Sequence, residues 1–153
     1  MRHRILSNHA EIIEIIKRCQ VCHVAMVDTE GKPYVVPMNF GFEDDIIYLH
    51  SAQEGKKIDC LKNNPDVCVN FTTNHVLRYQ NEQVACSWSM KYRSVLCYGK
   101  VEFIEDADQK RQALDVVMKQ YTKLRFTYND PSIREVNCWI VKVQRFDARI
   151  YGY

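Results

Sequence analysis

Hydrophobic residues recur along this chain with two periods, and the change from one period to the other marks its elements. Ile12, Ile13, Ile15, Ile16 and Cys19 share one face at helical spacing. Asn8-His9-Ala10-Glu11 stands just before them and reads as a capping box, Asn8 accepting from the third helical N–H and Glu11 reaching back. At Val21, His23, Ala25 and Val27 the period shortens to two, the spacing of a strand. Asp28-Thr29-Glu30-Gly31-Lys32 supplies turn residues, and residues 33–42 are expected to return as the hairpin partner. Glu43-Asp44-Asp45 reverses the chain again, into the apolar run Ile46-Ile47-Tyr48-Leu49-His50.

Ser51-Ala52-Gln53-Glu54 repeats the capping-box pattern, which predicts a short helix from Ser51 to about Asn63, with Pro65 as its stop. Residues 67–71 read as a fourth strand, residues 73–82 as a polar loop, and strands resume over 84–90 and 93–104. Asp106 is expected to cap a third helix carrying Ala113, Leu114, Val117, Met118 and Tyr121. Residues 124–136 read as loop, with a turn at Asn129-Asp130-Pro131-Ser132, and residues 138–146 as a closing strand. Many short strands with few helices predict a mainly β fold with flanking α, an antiparallel barrel, because closure removes unpaired sheet edges. No repeat, linker or low-complexity tract divides the chain, so one domain over residues 1–153 is expected.

Composition narrows the function classes. With 46% hydrophobic and 26% charged residues the chain is neither disordered nor fibrous. The net charge is only +2, and basic residues cluster in no more than pairs such as Lys17-Arg18, Lys56-Lys57 and Lys110-Arg111, so a nucleic-acid partner is not expected. Glu11, Glu14 and Lys17 interrupt the first apolar run, which excludes a signal-peptide core, and no stretch approaches the ~20 apolar residues of a membrane span. Seven cysteines, an odd number without a secreted-scaffold spacing, fit reduced thiols and a cytoplasmic location.

Cys19-Gln20-Val21-Cys22-His23 matches the pattern for covalent haem attachment, but no export signal accompanies it and it straddles a helix end and a strand start. Cysteines serving as small core residues are the expected reading. Cys60, Cys68, Cys86, Cys97 and Cys138 are isolated, so no zinc site is expected. There is no G-x-S-x-G elbow, no G-x-G-x-x-G and no Walker A loop. A nucleotide phosphate would therefore be held by side chains and a helix terminus. His50-Ser51-Ala52-Gln53-Glu54-Gly55-Lys56-Lys57 offers an imidazole, a hydroxyl, a helix start and two ammonium groups. That run suits an anion; a capped surface helix with solvated lysines is the alternative.

The same segments carry a resemblance. Tyr34-Val35-Val36-Pro37-Met38-Asn39-Phe40, Ile47 through Asp59 including His50-Ser51-Ala52-Gln53-Glu54-Gly55-Lys56-Lys57, Asn64-Pro65-Asp66-Val67, and Tyr92-Arg93-Ser94-Val95-Leu96-Cys97-Tyr98-Gly99-Lys100-Val101-Glu102 follow one another in order. Together they resemble the 5-nitroimidazole-resistance subgroup of the pyridoxamine-phosphate-oxidase-like proteins. The resemblance implies a split β-barrel homodimer with FMN at each of two interface sites. Val36, Pro37, Met38 and Asn39 would lie along the isoalloxazine, largely through backbone. His50 and Ser51 would flank the ribityl phosphate, and Lys56 and Lys57 would meet it, Lys57 anchoring it more strongly than His50. Ser94 stands where related oxidases carry a flavin-contacting glutamine. The C-terminal run Arg145 to Tyr153 lacks the histidine that grips a B6 phosphate, so vitamin B6 oxidation is not expected.

Two functions follow from these expectations. In one, FMN takes electrons from an unidentified donor and passes them to a small flat acceptor such as a nitroimidazole or quinone. In the other, the protein stores or senses FMN or haem without turnover, with His23, His50 and His75 as candidate haem contacts. Trp88 and Trp139 could line a substrate face or fill the core.

Overall fold

The computed structural model describes residues 3–153. Along the chain lie β1 (His3–Leu6), α1 (His9–Lys17), β2 (Cys22–Val27), β3 (Pro33–Met38), β4 (Gly41–Glu43) and β5 (Ile46–Ser51). They are followed by α2 (Lys56–Asn63), β6 (Asp66–Arg78), β7 (Ser89–Ile104), α3 (Ala107–Lys119), α4 (Asp130–Glu135) and β8 (Asn137–Tyr151). One antiparallel sheet takes all eight strands in the order β3-β2-β6-β7-β8-β5-β4, with β1 added to the far end of β8.

The alternation read at Val21, His23, Ala25 and Val27 does form a strand, but those residues lie on its outer side and the residues between them face the core. Cys22, Val24 and Met26 of β2, Val67, Val69 and Phe71 of β6, Val95 and Cys97 of β7, and Trp139 and Val141 of β8 are buried on one face. Ile47 and Leu49 of β5 and the isoleucine face of α1 join them in one cluster. Capping held where the helix follows it directly: the Glu11 N–H donates to Asn8 Oδ1 at 3.1 Å, and the Gln109 N–H to Asp106 Oδ2 at 2.9 Å. The reciprocal half of the first box is absent, since the Glu11 carboxylate faces Arg4 at 3.9 Å instead. The Asp44-Asp45 turn is made by two aspartates at φ 53° and 60°, a left-handed geometry that Asp tolerates better than most residues.

The expected barrel is not formed. The sheet stays open, ending at β3 on one side and β4 on the other. Its edges are managed differently. β3 carries Pro33 and Pro37, which offer no N–H to a further strand. Between β3 and β4 the Phe40 N–H donates to the Tyr121 hydroxyl at 3.0 Å rather than to a neighbouring strand. Gly41 lies so close to α3 that a Cβ there would sit 2.6 Å from the Val116 and Val117 backbone. Helix cover and side-chain hydrogen bonds thus replace closure.

Other expectations shift for local reasons. Residues 33–42 are two strands, because the chain leaves β2 at Met38 and pairs anew with β5. The polar stretch after Phe71 continues as strand to Arg78, since β7 supplies its ladder across a bulge between Thr73 and Val76. Residues 85–87 form a 3-10 turn instead of a strand, and β7 begins only at Ser89. The expected loop 124–136 contains α4, capped by Asn129, whose Oδ1 accepts from the Ser132 N–H at 2.8 Å. β8 runs five residues past Phe146, pairing with both β7 and β1. The strand ladder of the arm at residues 74–91 is its own, beyond the last β7–β8 partner, Tyr92 with Tyr151, and the Tyr153 hydroxyl ties it to the end of the chain by donating to the Asn74 carbonyl at 2.6 Å.

Candidate functional site

The second capping box does not form. Ser51 is the last residue of β5, its hydroxyl donates to the Ala52 carbonyl at 3.0 Å, and the helix begins five residues later. Gly55 is the N-cap of α2, at φ 132°, a conformation open to glycine alone, and no side chain caps this helix. The Gly55 carbonyl accepts from the Ile58 and Asp59 N–H groups at 3.0 and 3.1 Å. The Lys56 and Lys57 N–H groups are therefore the free donors of the first turn. Glycine at a cap and lysines directly after it move the cationic pair from within the helix to its very start.

The two lysines diverge there. Lys56 is exposed, and its Nζ sits 4.3 Å from the centroid of the Tyr34 ring on β3. Lys57 is half-buried and close enough to His50 for its charge to act on the imidazole. Burial and the Lys57 ammonium together push His50 below its ordinary 6.5, so its imidazole is held neutral beside a permanent cation. Neither lysine forms an ion pair among the described residues. A helix start with free N–H groups, an unpaired ammonium and a neutral imidazole is an anion-binding arrangement. The cleft of about 550 Å³ on the Lys56 flank is different, since Asp28, Glu30 and Asp59 line it beside Lys32 and Lys56 and balance their charge.

Ser51 and His50 are fixed from below by the core. Register places His50 opposite Cys138 and Ser51 opposite Asn137. Trp139, fully buried, donates its Nε1–H to Ser51 Oγ at 3.3 Å. Trp139 is therefore a core residue with its one polar atom turned to the site. Trp88 lies far off in the arm, stacked on Tyr79 at 4.2 Å between centroids.

The β3 residues divide between two faces. Val36 and Met38 point inward, opposite Val24 and Cys22, while Pro37 and Asn39 are exposed on the other side. Tyr34 shares the inward face of Val36 and brings it toward the start of α2 through Lys56. Ser94 is not part of this group within the chain. It lies on the outer face, between Thr72 of β6 and Arg149 of β8, with β2 and β6 separating it from β3. The histidines named for haem do not converge: His23 is exposed opposite Pro37 and Asn70, His75 is exposed in the arm, and His50 lies across β6, β7 and β8 from His23. Cys19 and Cys22 are buried; burial raises their thiols to about 11 and about 12, and Cys19 Sγ donates to the Ile15 carbonyl at 3.3 Å. Both serve the core.

Gln53, Gly55 and Tyr34 were not singled out from sequence as parts of this site. Gly55 before two lysines was the legible signal, a glycine cap competing with Ser51. Nothing local marks Gln53, whose carboxamide reaches residues more than eighty positions away.

Similarity to known proteins agrees with this architecture. A candidate 5-nitroimidazole antibiotic resistance protein from Bacteroides thetaiotaomicron is 46% identical, with a TM-score of 0.88 over 97% of this chain and 87% of that one. The flavocytochrome Anf3 from Azotobacter vinelandii shares the fold at 20% identity and TM-score 0.81, covering 99% of this chain and 70% of that one. A FAD and haem binding protein from Mycobacterium smegmatis does so at 18% identity and TM-score 0.84, over 97% and 74%. No curated protein matches. The family described as pyridoxamine 5'-phosphate oxidase matches residues 8–149, and the chain belongs to that family.

Proposed function

We propose that this protein binds FMN and works as a flavin-dependent oxidoreductase, passing electrons from a donor to a small flat acceptor such as a nitroimidazole or a quinone. The observation that carries the reading is the start of α2, where two backbone N–H groups and the half-buried Lys57 ammonium stand without an anionic partner beside a neutral His50. The phosphate of FMN carries between one and two negative charges and fits that donor set. Ser51 would flank the phosphate, Lys56 would add charge from its exposed side, and Val36 to Asn39 would border the ring. When bound, the flavin supplies the redox chemistry. The chain's own residues hold the phosphate, orient the ring and limit solvent. Relatives named for flavin binding or for nitroimidazole resistance support the reading.

A homodimer belongs to the same proposal. The arm exposes Val76, Leu77, Val84, Trp88 and Met90, apolar surface that a second copy would cover. Ser94, on the outer face, then belongs to the surface between copies. Light scattering that finds a flavin-loaded monomer would overturn the dimer.

Titration of FMN and riboflavin into the apo-protein tests the site. A hydrogen bond to a charged group contributes about 1.5–3 kcal/mol, so Lys57→Ala should weaken FMN roughly 10- to 150-fold while riboflavin changes little. Equal weakening of both flavins would count against the assignment. Turnover is tested by mixing photoreduced protein with a nitroimidazole. Reoxidation no faster than that of free reduced FMN would make this a binding protein.

A further inference from the structure

The segment that carries Gly55 and the two lysines has no cap of its own, yet it is held in place from a distance. The Gln53 carboxamide donates from Nε2 to the Arg134 carbonyl at 3.1 Å and to the Val136 carbonyl at 3.0 Å. Both acceptors lie at the C-terminal end of α4, where helix carbonyls lack intrahelical donors. The Val136 carbonyl accepts a second bond, from Lys110 Nζ at 2.9 Å, and that ammonium also reaches the Ile133 carbonyl at 3.4 Å. Lys110 is buried on the stripe of α3 that carries Ala113 and Val117. No carboxylate pairs with it among the described residues, so its charge is met by these carbonyls. The positions form a continuous chain: α3, the Lys110 ammonium, the Val136 carbonyl, Gln53, and then the turn into α2.

We infer that Gln53 is a positioning residue for the phosphate site: together with Lys110 it fixes the end of α4 and the turn before α2 so that the free N–H groups and Lys57 converge on the anion. The inference rests on the FMN reading above. Gln53 itself is exposed, and both of its bonds go to backbone carbonyls. Losing them leaves the core intact and frees only residues 52–55. Lys56 and Lys57 would then keep their charges but lose their fixed direction.

The test compares FMN with riboflavin, by flavin fluorescence, in wild type, Gln53→Met, Gln53→Ala and Lys57→Ala, with thermal unfolding of each apo-protein alongside. Gln53→Met keeps the side-chain length and removes both donors. Fixing even one residue of the freed turn again on binding corresponds to about a tenfold loss of FMN affinity. The expected result is that loss in both Gln53 variants, with riboflavin and the apo midpoint unchanged. Lys110→Met should act in the same direction but less, because Gln53 still holds the Val136 carbonyl. Unchanged FMN affinity in the Gln53 variants, where Lys57→Ala still separates FMN from riboflavin, overturns the positioning role alone. Equal loss of both flavins, or a lowered apo midpoint that accounts for the loss, makes Gln53 merely structural and overturns it too. A wild type that binds FMN and riboflavin alike removes the phosphate site and this inference with it.

Discussion

The turn into α2 and the arm at residues 74–91 are both exposed, and they are ordered by opposite means. The turn is polar, carries two lysines, has no cap, and is fixed by hydrogen bonds to α4, far away in sequence. The arm is apolar at Val76, Leu77, Trp88 and Met90, and is fixed by its own ladder, Leu77 opposite Met90 and Arg78 opposite Ser89. One region therefore leaves charge without a counter-ion and the other leaves hydrophobic surface without cover. Order in the first is borrowed from the rest of the fold, whereas order in the second is mainly its own ladder, with one outside tie from the Tyr153 hydroxyl to the Asn74 carbonyl at 2.6 Å. Damage to the core should reach the first and spare the second.

The largest effect tests that difference directly. Trp139→Ala empties a fully buried site and removes the donor to Ser51 Oγ. Denaturant unfolding should show a loss of about 3–5 kcal/mol, the range for deleting a large buried aromatic side chain. Amide exchange should accelerate at residues 50–57 more than at residues 76–90. Equal acceleration in both regions would break the comparison.

Gly55→Ala comes next. The added methyl meets no atom within 4 Å, so its effect is conformational, from forcing a residue with a Cβ to φ 132°. Such strain costs of order 1–3 kcal/mol. A stability loss of that size, with weakened FMN binding and unchanged riboflavin binding, is expected from calorimetry and titration. An unchanged midpoint would mean that the turn relaxes freely.

Trp88→Ala in the arm should cost about 0.5–1.5 kcal/mol, the contribution of a stacked aromatic pair, here with Tyr79. Because the second copy is proposed to cover the arm, FMN affinity should fall only as far as the substitution weakens the dimer, and should match wild type at protein concentrations that keep the variant dimeric. A flavin defect in a fully dimeric Trp88→Ala protein would show that the two regions are coupled.

The smallest effect is on pH dependence. His50 is held below 6.5 in the folded protein by burial and Lys57, so the unfolded chain binds its proton first as pH falls. The unfolded state then carries more protons, and stability declines as pH drops through 6.5 toward the lowered folded value. His50→Gln should flatten that part of the curve of midpoint against pH between about pH 7.5 and 5.5. Parallel curves for the two proteins would show that His50 contributes none of the slope.

Much of this molecule was legible in its residues. Alternation at Val21 to Val27, the turn at Asp28 to Lys32, and the caps at Asn8 and Asp106 are local signals, and each produced the element it specifies, because the atoms that stabilise it lie within a few residues. The collinear blocks marked the family, and the lysine pair marked a cationic helix start. Pro33 and Pro37 were also signals of an open edge, since a closed barrel has no edge strand on which to put them. The barrel expectation gave too much weight to closure as the remedy for edges. What tertiary structure decided is where long-range partners lie. Thr73 to Arg78 became strand because β7 offers a ladder there, against a polar composition that reads as loop. The helix start moved from Ser51 to Gly55 because Ser51 is paired to Asn137 and bonded to Trp139, and the turn that follows is tied by Gln53 to α4. Those contacts join residues more than eighty positions apart. Period, propensity and capping act over a few residues, so they could name the groups of the site but not the geometry that brings them together.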